Sequence, residues 1–320
     1  MACYAVCLSN RPDTLHQVFG RGRFERLSSL CRLHPRILTQ AMLDRELPLL
    51  APVEAIFSSW GMFPLSPRQL DSLPNLKAVF YAAGATEAFA APFLARGITL
   101  VSAWRANAIS VAEFCLAQIL LACKGYFRNQ REYRTPASFD MLHRCHPAPG
   151  AYGERVALLG QGAIARALTE LLRPFTLDVV GVPSRVERRT LSLEDAFSTA
   201  FVISNHLPNR PDNIGVLNGQ LFRRMRPGAV FINTGRGMQV NESELIGVLR
   251  ERPDLTALLD VTKPEPPCAA SPLYSLSNIH LSSHIAGALN DETQRLADCV
   301  LDEFVRWREG KPLCHRVVNR

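Results

Sequence analysis

Strand-like and helix-like segments alternate along almost all of this chain, and this alternation restricts its fold more than any other feature. Apolar runs suited to strands lie at 4–8, 53–59, 76–83 and 98–103. A second series follows at 155–160, 177–182, 200–205, 229–234, 256–261 and 279–284. Parallel strands need a long crossover, usually a helix, so the pattern predicts an α/β protein with parallel sheets.

Length and composition narrow the possibilities further. A chain of 320 residues is long enough for two domains. The net charge of +7 suits anionic ligands, but the basic residues are dispersed, so we predict no nucleic-acid partner.

Nine cysteines without a Cys-x-x-Cys pair favour reduced thiols in a cytoplasmic protein. His143, Cys145 and His146 lack a second ligand pair at a usual spacing, so we predict no metal site.

The longest helical pattern runs from Asn107 to Arg134. Its most apolar part is interrupted by Glu113 and Gln118 and is too short for a membrane span, so we predict no membrane association. It nevertheless carries too many apolar positions for one ordinary core face. We therefore predict a single helix over 107–134 that is covered by a second subunit, giving a homodimer.

A glycine motif follows the first strand of the second series. Residues 160–165 read Gly-Gln-Gly-Ala-Ile-Ala, directly after a strand and at the start of a helix. Gly160 permits a tight turn, Gly162 lets a pyrophosphate approach the backbone, and the free N–H groups of the helix attract its negative charge. The motif predicts a dinucleotide site, although the alternative is a purely structural turn.

The next strand lacks the acid that usually binds the ribose of NAD. It ends at Val182 and is followed by Pro183, Ser184 and Arg185, with Arg188 and Arg189 nearby. Serine and arginine side chains can hydrogen-bond a 2′-phosphate, which an acid would repel. We predict that NADP(H) is preferred and that NAD(H) is possible. The alternative is an ordinary solvated turn at a site that does not distinguish the two cofactors.

Three polar residues stand at the ends of strands of the second series: Arg236 and Glu265 follow their strands, and His284 closes the last one. Ligands of open α/β sheets bind beyond the carboxyl ends of the strands. Arginine can hold a carboxylate, histidine can transfer a proton near neutral pH, and a carboxylate can orient that histidine. Each residue alone could be a surface or structural group, but together they favour a catalytic site.

The sequence resembles the D-isomer-specific 2-hydroxyacid dehydrogenases, which include glyoxylate and hydroxypyruvate reductases. The resemblance covers nearly the whole chain, with long ordered matches at 204–249 and 260–288 besides the glycine motif. It implies two doubly wound domains. These are a flavodoxin-like substrate-binding lid, built from 1–103 with 291–320, and a Rossmann NAD(P)-binding domain at 104–290. It also implies that the lid closes about hinges near Ala103 and Asp291.

The resemblance also implies individual roles. The catalytic residues are Arg236, Glu265 and His284, and His284 is the general acid/base. Asp260 is expected near the nicotinamide amide. The cofactor contacts implied by position are Gly162, Ala163, Ile164, His206, Pro208, Thr234 and Asp260. The substrate contacts implied are the backbone N–H groups of Ala83 and Gly84, together with Asn107 and Arg236.

The implied reaction is the reduction of a small anionic 2-oxo acid to the D-2-hydroxy acid, and its reverse. The chain departs from the family at 102–105, where Ser-Ala-Trp-Arg replaces the usual Asn-x-Pro-Gly. Trp60, Trp104 and Arg105 could therefore shape specificity or simply pack the domain junction. The alternative function is a dinucleotide-sensing, corepressor-like binding protein of the same fold without significant turnover.

Overall fold

The computed structural model describes residues 3–145 and 148–318. The chain divides into two compact units, which we call unit 1 and unit 2. Unit 1 is Met1–Asn107 with Ala288–Arg320, and unit 2 is Ala108–Gly287. Helices and strands are numbered along the whole chain. His146, one of the residues considered above for a metal site, lies outside the described residues.

Unit 1 is built on a parallel sheet. Its strands are β1 Tyr4–Leu8, β2 Arg32–Leu38, β3 Ala55–Ser58, β4 Ala78–Tyr81 and β5 Thr99–Ser102. Their order across the sheet is β2-β1-β3-β4-β5, and every pairing is parallel. This is the flavodoxin-like order, in which the direction of winding reverses between β1 and β3.

Both faces of this sheet are covered by helices. Successive strand residues point to opposite faces, so Phe57 and Phe80 pack on one side while Ile56 and Val79 pack on the other. The C-terminal helix returns to the first face, where Phe304 contacts both phenylalanines with ring centroids 5.1 and 5.3 Å apart. The helices are α1 Pro12–Val18, α2 Arg23–Leu30, α3 Gln40–Leu50, α4 Pro67–Asp71, α5 Ala90–Ala95 and α13 Thr293–Arg308.

Unit 2 contains a second parallel sheet, as the sequence predicts. Its strands are β6 Arg155–Leu159, β7 Asp178–Val182, β8 Val202–Asn205, β9 Val230–Asn233, β10 Thr256–Leu259 and β11 Ile279–Leu281. Their order is β11-β10-β9-β8-β6-β7, again with parallel pairings. The order reverses between β6 and β8, and a crevice for ligands is expected outside their carboxyl ends. The predicted α/β fold with two doubly wound sheets is confirmed.

Helices cover both faces of the second sheet and form one hydrophobic core with it. The remaining helices are α6 Trp104–Cys123, α7 Tyr126–Glu132, α8 Pro136–Cys145, α9 Ala163–Leu172, α10 Leu193–Thr199, α11 Gly219–Arg223 and α12 Glu242–Glu251.

The prediction of a single helix over 107–134 is wrong. The helical segment begins at Trp104 and breaks at Gly125, whose φ of 69° lies in the left-handed region. The Gly125 N–H donates to Ala122 O at 2.8 Å, which closes the last turn of α6. A further helix, α8, follows closely at Pro136–Cys145. The segment 107–134, predicted to face a second subunit, thus falls on α6 and α7.

One strand was missing from the sequence prediction. β2 contains Pro35 and exposed arginines, which do not resemble a buried strand. It lies at the sheet edge, where proline is tolerated because no neighbouring strand needs its missing N–H. Its pairing with β1 shifts register between Ala5 and Cys7.

The apolar helix α6 is long enough and hydrophobic enough to cross a membrane by length and composition alone. Half of its most apolar 18-residue window is buried inside the structure. A core helix passes the same test, so this helix is weak support for a membrane span. In the described part of the chain, no group of three or more His, Cys, Asp or Glu side chains is arranged to hold a metal ion.

Candidate active site

The turn after β6 can be made only by glycine. Gly160 has a φ of +93°, and its N–H donates to Val182 O at 2.7 Å. A Cβ on Gly160 would overlap the backbone carbonyl of His206. Both the backbone conformation and the close approach of the 206 loop exclude a side chain here.

The next helix begins with unpaired N–H groups. Gly162 is the N-cap of α9, and no side chain caps this helix end. A Cβ built on Gly162 meets nothing within 4 Å, so space lies open beside the first turn, where Ala163 and Ile164 are half-buried. The free N–H groups, the helix dipole and the open space fit the pyrophosphate of a dinucleotide.

The turn after β7 carries the residues predicted to bind the 2′-phosphate on the ribose of NADP(H). Arg189 Nε donates to Pro183 O at 2.9 Å and Arg189 Nη2 donates to Ser184 O at 3.2 Å, which fixes the turn. Arg185 is exposed, and no hydrogen bond or ion pair joins its side chain to another described residue. Glu187 is the one acid of the short 3-10 turn that follows. Ser184 and Arg185 thus remain available to an anionic ligand.

His206 is a buried, neutral imidazole beside the glycine turn. Its side chain is within 2.9 Å of Ser204 Oγ through Nε2, and burial lowers its pKa to about 4. Within the described residues, Nδ1 has no hydrogen-bond partner although it is buried. A buried imidazole nitrogen without a partner is unusual, and a ligand group in the crevice would satisfy it.

Thr234 follows β9 and is almost fully buried. Its hydroxyl lies 3.3 Å from Cys115 Sγ of α6. Burial raises the pKa of the Cys115 thiol to about 11, so Thr234 faces a neutral thiol.

Asp260 organises the loop that carries His284. Its carboxylate accepts hydrogen bonds from Ser282 Oγ at 2.6 Å, Ile285 N at 2.8 Å and Ala286 N at 3.0 Å. Its backbone oxygen also accepts from His284 N at 3.1 Å. Asp260, expected beside a nicotinamide amide, therefore has partners of its own on both sides of His284.

His284 and Glu265 form the central pair of the site. His284 Nδ1 lies 2.6 Å from Glu265 Oε1, a distance typical of a charge-assisted hydrogen bond. With Nδ1 donating to the carboxylate, Nε2 is left for proton transfer. The backbone of His284 has a φ of +58°, a conformation that non-glycine residues rarely adopt and that often marks a functional position.

Arg236 lies on the loop after β9, next to the loop that carries Glu265. The backbone of Gly237 packs so closely on Thr262 that a Cβ would overlap the Thr262 carbonyl. The half-buried Arg236 side chain donates through Nη1 to Gly235 O at 2.8 Å. The three residues predicted to be catalytic thus occupy neighbouring loops at the carboxyl edge of the sheet.

A cluster of buried amides supports these loops, and sequence analysis missed it. Asn205 ends β8, Asn233 ends β9, and Gln239 follows the Arg236 loop; all three are at most 1% exposed. Asn205 Nδ2 donates to Asn233 Oδ1 at 2.9 Å and to Gln239 Oε1 at 2.7 Å. In the sequence, Asn205 and Asn233 stand near the ends of two predicted strands, and the structure pairs them in register.

The predicted substrate residues of unit 1 also lie together. A Cβ on Gly84 would lie 3.6 Å from Asn107 Nδ2, and Asn107 Oδ1 accepts from Ala288 N at 3.0 Å. The buried Ser102 hydroxyl is within hydrogen-bond distance of Ala83 O and Gly84 O, at 2.8 and 2.7 Å. Nothing in the sequence pattern singles out Ser102 as the support of this loop.

The aromatic residues left open by the sequence have different surroundings. Trp60 packs against the cores on both faces of the unit 1 sheet. Arg105 lies over the Trp104 ring at 5.0 Å from its centroid, a cation–π contact. Trp60 therefore has a packing role in unit 1, whereas Arg105 is exposed.

Known proteins are similar to this chain in both sequence and fold. A sequence profile for the NAD-binding domain of D-isomer-specific 2-hydroxyacid dehydrogenases matches residues 116–286. D-3-phosphoglycerate dehydrogenase of Mycobacterium leprae is 30% identical over 227 residues, which cover 66% of this chain and 41% of that protein. Glycerate dehydrogenase of Methylorubrum extorquens is 26% identical over 255 residues, 78% of this chain and 81% of that protein.

The chain spans less than half the length of the first curated relatives that it matches. Among solved structures, apo D-mandelate dehydrogenase of Rhodotorula graminis has a TM-score of 0.81 with 20% identity. The match covers 100% of this chain and 98% of that one. At this level of identity, the likeness shows the shared fold.

Proposed function

This chain belongs to the D-isomer-specific 2-hydroxyacid dehydrogenase family, and we propose that it is an NAD(P)-dependent oxidoreductase. It reduces a small 2-oxo acid, of the size of glyoxylate or hydroxypyruvate, to the D-2-hydroxy acid and catalyses the reverse reaction. NADPH is the preferred reductant, and NADH is also accepted.

The observation that carries this proposal is the hydrogen bond of 2.6 Å between His284 and Glu265 at the carboxyl edge of a dinucleotide-type sheet. A carboxylate on Nδ1 orients the ring and leaves Nε2 to deliver a proton. Ligands of such sheets bind at this edge. The pair therefore supports proton transfer beside a bound cofactor.

The cofactor site fits a dinucleotide. Gly160, Gly162, Ala163 and Ile164 hold the pyrophosphate through the turn and the start of α9, and His206, Pro208, Thr234 and Asp260 complete the site. When bound, the reduced cofactor supplies a hydride for the substrate carbon.

The residues of the chain supply the remaining chemistry. Arg236 binds the substrate carboxylate, together with the backbone N–H groups of Ala83 and Gly84, and it stabilises the negative charge that develops on the carbonyl oxygen. His284 donates a proton to that oxygen, and in the reverse direction the neutral ring accepts it. Glu265 holds the ring in place and stabilises its positive charge. Asn107 supports the substrate loop from the start of α6.

The preference for NADPH is supported by the turn after β7. Arg185 offers an exposed guanidinium without a partner among the described residues, and Ser184 offers a hydroxyl. Both can bind a 2′-phosphate. Arg185→Ala is therefore expected to raise the KM for NADPH about tenfold and to leave the KM for NADH unchanged.

The experiment that tests the proposed function follows cofactor oxidation with glyoxylate, hydroxypyruvate, pyruvate and bulkier 2-oxo acids, using NADPH and NADH in parallel. Turnover of at least one acid, with a higher kcat/KM for NADPH, supports the proposal. A clear preference for NADH would overturn the cofactor assignment. Tight dinucleotide binding with no turnover of any acid would instead indicate a cofactor-sensing protein.

Location and assembly are part of the same proposal. We place the protein in the cytoplasm, because the cysteines whose side chains are described are free and five of them are buried: Cys3, Cys7, Cys31, Cys115 and Cys123. We also propose a homodimer through α6, α7 and α8, whose outer faces expose large apolar side chains.

A further inference from the structure

The buried side chain of Gln239 contacts the two loops that flank the candidate cofactor crevice. It is 1% exposed and is the last residue of a short 3-10 turn, Gly237–Gln239, which begins directly after Arg236. Its amide is therefore turned away from solvent, and it bonds to Arg236, Asn205, Leu207 and Pro208.

On one side, Gln239 holds the loop of Arg236. Its Oε1 accepts a hydrogen bond from the backbone N–H of Arg236 at 3.2 Å. The Gln239 N–H in turn donates to Arg236 O at 3.2 Å. Gly235 leaves room for this amide, since a Cβ there would lie 2.7 Å from Gln239 Oε1. The point from which the guanidinium of Arg236 extends is therefore fixed by Gln239.

On the other side, Gln239 holds the loop that follows β8. Its Nε2 donates to Leu207 O at 2.8 Å and to Pro208 O at 3.0 Å. This loop has further supports, because Asn205 Oδ1 accepts from Leu207 N at 3.1 Å and Asn213 Nδ2 donates to Pro208 O at 2.8 Å. When the Gln239 amide is removed, the loop at 206–208 thus keeps these other hydrogen bonds. The Arg236 N–H, in contrast, loses its acceptor.

From these contacts we infer that Gln239 is the positioning residue for Arg236. The Gln239 oxygen accepts from the Arg236 N–H and from Asn205 Nδ2, and its Nε2 donates to the 206–208 loop. The amide therefore sets the spacing of the two loops as well as the direction of the guanidinium. A misplacement of a charged group by a fraction of an ångström weakens its hold on a substrate carboxylate. This inference rests on the proposed function.

The test compares Gln239→Met with wild type. Methionine matches glutamine in length and lacks branching, but it makes none of these hydrogen bonds. We expect kcat/KM for the 2-oxo acid to fall about 10- to 100-fold, mainly through a higher KM for that acid. The Kd for NADPH is expected to change by less than about threefold, because the 206–208 loop keeps its other tethers.

A matched control separates positioning from a general loss of stability. Asn278 is also a buried amide of unit 2, and its Nδ2 donates to Leu249 O at 2.9 Å. It precedes β11 and therefore lies at the opposite edge of the sheet from His284. Asn278→Leu should lower the Tm to a similar degree and leave both kinetic constants for the 2-oxo acid near wild type.

A second measurement does not depend on activity. Hydrogen exchange of the segment 234–238 is expected to rise in Gln239→Met, because the Arg236 N–H loses its acceptor, and to stay at the wild-type rate in Asn278→Leu. Wild-type exchange and a wild-type KM in Gln239→Met would overturn the inference. If the wild-type protein reduces no 2-oxo acid, the proposed function fails, and the exchange measurement still decides the role of Gln239.

Discussion

His206 shows how burial sets the charge of a single residue in this protein. Burial lowers its pKa to about 4, against 6.5 for a free histidine. The folded protein therefore keeps this ring neutral at pH values where the unfolded chain protonates it. Between these two pKa values the unfolded state binds more protons, so the free energy of unfolding falls as the pH falls.

We predict a loss of stability on acidification that depends on His206. When the pH is lowered from 7.5 to 5, His206 should reduce the free energy of unfolding by about 2 kcal/mol. His206→Asn removes this contribution, and the other histidines, present in both proteins, cancel in the comparison. Urea titrations at the two pH values measure the difference. An equal drop in stability in wild type and variant would contradict a neutral, buried His206.

Some residues of the candidate site could be predicted from sequence and others could not. Arg236, Glu265 and His284 follow predicted strands, and the rule that ligands bind at carboxyl ends was enough to group them. The partners of Asp260, the Gln239 contacts and the role of Ser102 depend on how loops fold back over the strand ends. No periodicity in the sequence encodes those loop conformations, so these residues became visible only in the structure.

At the scale of elements, the two glycines of the β6–α9 turn have different requirements. Gly160 needs a positive φ and a close approach to His206, whereas Gly162 has an ordinary backbone and open space beside it. Gly160 is therefore required for the turn to fold. Gly162 instead leaves space for a ligand at the start of α9.

We predict opposite effects for alanine at these two positions. Gly160→Ala should lower the free energy of unfolding by about 2–4 kcal/mol, through the strained backbone and the overlap with His206. Gly162→Ala should leave the Tm unchanged but weaken dinucleotide binding at least tenfold, because its methyl group occupies the proposed pyrophosphate space. Thermal melts and cofactor titrations of both variants check this. Wild-type cofactor affinity in Gly162→Ala would place the pyrophosphate elsewhere.

Helices and strands could be predicted from the sequence where their hydrophobic pattern matches their burial in the fold. The central strands of both sheets are continuous apolar runs, because parallel strands are buried on both faces. β2 was missed because an edge strand tolerates proline and charge. The break between α6 and α7 was missed because one glycine in an apolar helical pattern is compatible with an unbroken helix, and only the left-handed φ of Gly125 decides it.

At the scale of the whole molecule, several large apolar side chains are exposed along α6, α7, α8 and the turn between α7 and α8, where Tyr133 lies. The exposed residues are Ile109, Leu121, Tyr126, Tyr133, Phe139 and Met141, at 38–52% exposure. Scattered single residues of this kind are ordinary, but a group on successive helices is typical of an interface. This group supports the proposed dimer.

The predicted assembly can be tested by charge substitution on this group. Leu121→Arg with Phe139→Arg should convert a dimer into a monomer, because two charges would be buried without partners. Leu49→Arg is the control, since Leu49 is 62% exposed on α3 of unit 1 and lies outside the group. Sedimentation equilibrium distinguishes the outcomes. A monomeric wild-type protein, or a doubly substituted variant that stays dimeric, would contradict the proposed surface.

The most direct test of the whole account measures turnover and cofactor binding together in His284→Ala. If His284 donates the proton, kcat for 2-oxo acid reduction should fall by about two to four decades. The Kd for NADPH should stay near the wild-type value, because the turn at Gly160 and the start of α9 are unchanged. Undiminished turnover in the variant, or an equal loss of turnover and cofactor binding, would contradict the role assigned to the His284–Glu265 pair.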